Sequence, residues 1–257
     1  MEIESRFTKL RTYNWVMGVF HLVQAALMLA LSSEFSLPIT TSFLHYMRET
    51  DSLGSITETV FDLRIGPLVA IFLLLSAIAH FTLASPWVFG WYVRNLKKGI
   101  NYARWYEYAF SASLMIVIIA MLSGIYDIAS LILLFTLTAV MNLFGLMMEL
   151  HNQTTERTNW TSYAFGCIAG IVPWIAVAIY FFGSASTGEM PTFVYFIFGS
   201  LFVLFFVFAV NMLLQYKKVG PWRDYLFGER MYVLLSLVAK SALAWQVFGG
   251  TLARSGY

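Results

Sequence analysis

The sequence predicts an all-α membrane protein: a bundle of seven transmembrane helices with its N-terminus on the cytoplasmic side. Three observations predict it. Hydrophobic residues make up 59% of the 257 residues and charged residues only 12%, about half the charged share of a soluble domain. Seven apolar segments are long enough to cross a bilayer, which takes roughly 20 helical residues. Lys and Arg gather on one side of those segments, and that bias sets orientation.

The segments run near 13–32, 62–84, 102–123, 128–149, 162–182, 192–216 and 229–252. The whole chain, 1–257, reads as one domain without internal repeats. The first apolar run, Trp15 to Leu31, is too long for a signal-peptide core and has no good cleavage site after it. The connections are short except the first, from Glu34 to Phe61, which contains Pro38, Gly54 and several Thr and Ser. Its alternation around Leu37, Ile39 and Phe43 fits a small β-hairpin in the first extracellular loop.

Orientation follows from the basic residues. Arg6, Lys9, Arg11, Arg94, Lys97, Lys98, Arg104, Arg157, Lys217, Lys218, Arg223 and Arg230 put twelve on one face, against three (Arg48, Arg64 and Arg254) on the other. The N-terminus is therefore expected inside and the C-terminus outside, the reverse of seven-helix receptors. The net charge of +2 is too small to suggest a nucleic-acid partner. Cys167 is the only cysteine, which excludes an intrachain disulfide, and it is expected to be a buried, inert thiol. The histidines and this cysteine show no metal-ligand spacing. No nucleophile, base and oxyanion constellation of an enzyme appears.

Ionisable residues inside spans are costly and mark function. Lys240 lies about eleven residues from either end of the seventh span, about 16 Å deep at 1.5 Å per residue. Its side chain cannot reach water from there. Two readings are open: a neutral or cross-paired structural lysine, or a desolvated amine that forms a Schiff base with an aldehyde. The second needs a counter-ion, and Glu107 on the third span is the best carboxylate. Glu107 sits nearer the cytoplasmic end than Lys240, so the third helix is expected to begin before Tyr102, near Asn95. The other reading of Glu107 is an interfacial acid beside Arg104. Asp62, Asp127, Glu149 and Glu229 fall at span ends and read as boundary residues.

His21 and His80 can join Glu107 in a polar cluster on the cytoplasmic half, or can serve only as helix-to-helix hydrogen-bonding groups. Ser236, four residues before Lys240, shares its helix face. Its hydroxyl can bond the lysine nitrogen or its own backbone. Candidates to line an apolar pocket for a polyene are Met115, Met141, Gly145, Pro173, Trp174, Phe205, Phe206 and Trp245.

These residues resemble the heliorhodopsin family over essentially the whole chain. The resemblance is carried by the seventh span, from Ser236 through Lys240 to Trp245 and Gln246. It extends to Gly166–Trp174 on the fifth, Arg104, Trp105, Glu107 and Tyr108 with Met115–Val117 on the third, and Gly18–Leu22 on the first. It implies an inverted, usually dimeric photoreceptor with all-trans retinal bound covalently to Lys240 and Glu107 as counter-ion. It further implies a surrounding polar network of Ser236, His21 and His80. Tyr108 joins the expected cofactor-binding residues.

Microbial proton pumps resemble one another in carrying third-helix carboxylates and an aspartate four residues before the lysine. Ser111 and Ile118 stand at the matching offsets from Glu107, and Ser236 replaces the aspartate. Outward of Lys240 the seventh span offers Ser241, Trp245, Gln246 and Thr251, but no acid or base. The expectation is a light sensor without net ion transport, acting on a cytoplasmic signalling partner. The alternatives are a light-gated channel or weak transporter, and an apo seven-helix protein that binds an amphipathic ligand. A G-protein-coupled receptor does not fit, because the orientation is reversed and the seventh span lacks an Asn-Pro-x-x-Tyr ending.

Overall fold

The computed structural model describes residues 2–188 and 190–253. Its elements, in order, are α1 (Glu2–Leu31), β1 (Ser36–Met47), β2 (Ser52–Arg64), α2 (Ile65–Ala84), α3 (Phe89–Leu96), α4 (Tyr102–Leu122), α5 (Ile128–His151), α6 (Thr161–Ser186), α7 (Thr192–Tyr216) and α8 (Tyr225–Val247). Seven of the helices, all but the short α3, are long and apolar enough to cross a membrane. The chain is a multi-pass membrane protein.

Helix ends are set by local chemistry. Asn101 caps α4 by accepting from Arg104 N at 3.0 Å, and Asp127 caps α5 by accepting from Ser130 N at 2.9 Å. Asp224 caps α8 through Leu226 N at 3.1 Å. The third span was expected to begin near Asn95, and it does not. Gly99, at φ +75°, ends the separate amphipathic α3, and the Asn101 cap restarts the chain as α4. The second span starts at Ile65 rather than Asp62, because Asp62 to Arg64 pair with Ser36 to Pro38 in the hairpin.

The expected hairpin is present, and longer than the alternation alone suggested. Strands β1 and β2 pair antiparallel from Ser36↔Arg64 to Met47↔Ser52, with a register shift at Ile39/Thr40. It is tied to the bundle by Ile39, buried in the core, and by Thr40 N, which donates to Tyr126 O at 2.9 Å. Ser33 N donates to Leu252 O at 2.7 Å, so the end of α1 and the C-terminal turn meet at this hairpin end. At the opposite end, Arg6 pairs with Asp224 and Arg11 Nε donates to Ala84 O at 2.7 Å.

In the bundle α2 packs between α1 and α4, α5 between α4 and α6, and α8 between α7 and α1. Between α6 and α7, rings make the seam. Phe181 stacks on Phe198 at 4.2 Å, and Trp174 meets Phe198, Phe202 and Phe205 edge-on at 5.3 to 5.9 Å. Large apolar side chains such as Ile179, Phe196 and Val203 face outward, as a lipid-facing surface requires. Cys167 also belongs to that surface. The expectation of a buried thiol fails: Cys167 is exposed, although it also borders a cavity beside Gly166 and Gly170.

Candidate functional site

The buried charges divide into two groups, stacked along the bundle. The first is centred on Lys240, which is 3% exposed on α8. Its Nζ donates to Glu107 Oε1 at 2.8 Å, Ser76 Oγ at 2.6 Å and Ser236 Oγ at 2.9 Å. Ser76 Oγ in turn donates to Glu107 Oε1 at 2.7 Å. Three acceptors, one of them a carboxylate, therefore satisfy the three donors of an ammonium. Nζ also lies 5.2 Å from the centroid of the Tyr108 ring, and the Tyr108 hydroxyl donates to Tyr232 O at 2.8 Å. Cross-helix contacts hold the geometry, with α2 supplying Ser76, α4 Glu107 and Tyr108, and α8 Ser236 and Lys240.

His21 and His80 stack at 5.5 Å, at an interplanar angle of 13°. His80 Nδ1 shares a 2.8 Å hydrogen bond with Asn14 Oδ1, whereas both ring nitrogens of the fully buried His21 lack a partner among the described residues. Neither histidine hydrogen-bonds Glu107 among those residues. The histidine pair and the lysine group are separate nodes.

The second buried group lies nearer the N-terminal end, around Arg104. Its guanidinium bridges Glu149 of α5 and Glu229 of α8. Asn101 N and Trp105 Nε1 donate to Glu149 Oε2 at 2.8 and 2.7 Å. Asn101 Nδ2 and the Tyr92 hydroxyl donate to Glu229 Oε1 at 2.5 and 3.2 Å. The guanidinium lies 4.0 Å from the Tyr232 centroid and 4.6 Å from that of Trp105, two rings set edge to face. Glu149 and Glu229 are thus not boundary residues: they are 1% and 0% exposed. The sequence places them at span ends, but α8 begins at Tyr225, which puts Glu229 a turn inside, and Arg104 draws both inward. Arg104 likewise drops out of the loop charges, with the asymmetry otherwise intact, and Arg254 lies outside the described residues.

Two cavities adjoin beside Tyr108, and the smaller reaches Lys240. The smaller is lined by Lys240, Ser236, Ala239, Ser111 and Met115, and shares Tyr108, Met141, Asn142, Phe205 and Phe208 with the larger. The larger runs between α4, α5, α6 and α7 past Gly145, Gly166, Gly170, Trp174 and Phe206. The expected residues Tyr108, Met115, Met141, Gly145, Trp174, Phe205 and Phe206 all line this space. A Cβ at Gly145 would collide with the Trp105 ring, so glycine is required there. Two expected wall residues are not in the wall. Pro173 is buried in α6 but turned away from the cavity that its neighbour Trp174 lines. Trp245 is 40% exposed and donates to Gln24 Oε1 at 3.1 Å on α1.

Sequence reasoning missed Ser76, Asn14 and Asn142. Ser76 lies four residues before His80, hence on the same face of α2. That spacing was the signal available. The space suits a long apolar group with an aldehyde end: its walls are rings, methionines and glycines, and one amine sits at its end.

A family model described as Heliorhodopsin matches residues 10–252. The search of curated proteins returned no match. Among solved structures, the fold is similar to the crystal structure of a light-driven proton pump, LR (Mac), from Leptosphaeria maculans. The TM-score is 0.64 at 17% identity, over 93% of this chain and 94% of that one. That likeness concerns the fold alone. The family match covers nearly the whole chain, and this chain belongs to the heliorhodopsin family, microbial rhodopsins whose chromophore is retinal.

Proposed function

We propose that the protein is a light sensor that carries all-trans retinal on Lys240 Nζ and drives no net ion transport. The whole chain acts as one retinal-binding domain, with the N-terminus cytoplasmic. When bound, retinal supplies the visible absorption and a light-driven change of shape. Glu107 holds the positive charge at Nζ as counter-ion, while Ser76 and Ser236 orient the remaining donor. Tyr108, Met115, Met141, Gly145, Trp174 and Phe206 bound the chromophore. Pro173 acts through the course of α6.

The one-sidedness of the buried polar groups carries this reading. Glu107, His21, His80, Arg104, Glu149 and Glu229 all lie level with Lys240 or toward the N-terminal end. The hairpin half is packed with Leu68, Val69, Phe72, Leu73, Ile116, Ile119, Leu243 and Val247, and no acid or base is buried there among the described residues. A proton leaving Nζ has acceptors on one side only and returns from the same side. His21, whose ring nitrogens have no partner among the described residues, and His80 stacked on it are its reservoir. A homodimer in the lipid bilayer, signalling to a cytoplasmic protein, completes the proposal.

The test is the pH of a suspension of cells that express the pigment. Illumination should leave it unchanged. A light-induced shift that a protonophore abolishes would overturn the reading.

A further inference from the structure

Away from the lysine site, a cavity of about 320 Å³ opens at the N-terminal end of the bundle between α1 and α8. Its walls are Arg6, Lys9, Leu10, Tyr13, Leu226 and Arg230. Arg6 is paired with Asp224, whereas Lys9 and Arg230 have no carboxylate partner among the described residues. The cavity therefore keeps a surplus of positive charge beside a phenol and two leucines.

The faces that form it continue down both helices. On α1 the helical spacing from Arg6, Lys9 and Tyr13 leads to Val16, Phe20 and Gln24. On α8 it leads from Arg230 to Leu234 and Val238. Val16, Phe20, Leu234 and Val238 are 43%, 53%, 39% and 43% exposed, so each keeps a large apolar surface open to the surroundings. Deeper still, the hydrogen bond from Trp245 to Gln24 bridges the two helices. Tyr13 to Gln24 spans about 16 Å of helix at 1.5 Å per residue, close to half of a hydrocarbon core of roughly 30 Å. The seam is cationic at the headgroup level, apolar for the depth of one leaflet, and closed below.

We propose that this seam holds one anionic phospholipid. Its phosphate sits between Lys9 and Arg230 with Arg6 at the rim, and an acyl chain lies along Val16, Phe20, Leu234 and Val238. The shared chemistry is a phosphate ester, and the apolar track selects a lipid over a free ion. Nothing in the assignment depends on the chromophore.

Native mass spectrometry of the full chain in detergent tests it, with phosphatidylglycerol and phosphatidylcholine as probes. One phosphatidylglycerol per chain should be retained in preference to phosphatidylcholine. Lys9→Gln with Arg230→Gln should reduce that preference about 25-fold, roughly fivefold for each cation removed. The control, Lys98→Gln with Lys217→Gln, removes the same charge from exposed positions at the same end and should leave the preference intact. Equal loss in both doubles would mean diffuse attraction and overturn the site, as would equal retention of the two lipids. Excess inorganic phosphate should not displace the lipid, and complete displacement would refute the acyl track. Lys9→Gln alone, at an exposed position, should cost about fivefold and serves if the double variant does not fold.

Discussion

Glu107→Gln removes the charge at Lys240 while keeping an acceptor of nearly the same shape. In the native site Nζ lies 2.8 Å from Glu107 Oε1, with neutral hydroxyls at 2.6 and 2.9 Å. After the substitution the hydroxyls and the amide oxygen remain, so the loss is almost purely electrostatic. At an effective dielectric of about 20, a unit charge pair at that separation is worth about 6 kcal/mol. Excitation of a chromophore held at Nζ shifts positive charge away from the carboxylate. If the separation roughly doubles, the native pair opposes excitation by about 3 kcal/mol. Without the carboxylate the gap should narrow by that order, a red shift of tens of nanometres in a visible band. The assay is the absorption spectrum of purified variant and wild type in the same detergent. An unmoved band would refute the reasoning and hand the counter-ion role to another acid.

The remaining predictions concern the amine and the arginine cluster. Lys240→Ala should give no visible pigment on addition of retinal. A variant that forms the same hydroxylamine-sensitive band would overturn the attachment site. Arg104→Gln leaves Glu149 and Glu229 buried without their cation, which should cost about 3–5 kcal/mol of stability. Adding Glu229→Gln to it should recover part of that loss. Thermal melts followed by circular dichroism read both, and an unchanged melting temperature for Arg104→Gln would show the cluster to be dispensable.

Lys240, Glu107 and Ser236 could be read from the sequence because each is a polar residue in an apolar run, at a depth or spacing that limits what it can touch. The hairpin showed in its alternation, and the pocket in its aromatic and methionine content. Ser76 was invisible for the opposite reason: a serine in a membrane helix usually bonds its own backbone, and Ser76 also does so, to Phe72 O at 3.3 Å. Only the packing of α2 against α4 brings it to Glu107. The Arg104 cluster was misread because an acid near a span end ordinarily faces water. Glu149 and Glu229 come from helices distant in sequence, and no local pattern pairs them with one guanidinium. Pro173 and Trp245 were named by residue type, and type does not say which way a helix face turns.

The three hydrogen bonds at Nζ also bear on how the pigment is made. A lysine that donates to three acceptors is an ammonium, and an ammonium has no lone pair with which to attack an aldehyde. If retinal joins at Lys240, Nζ must first surrender a proton, and the nearest base is Glu107, at 2.8 Å. The same carboxylate would govern assembly before it governs colour. Maturation of a Glu107→Gln pigment should then lag behind wild type by a delay separate from its spectrum, since an amide cannot take that proton.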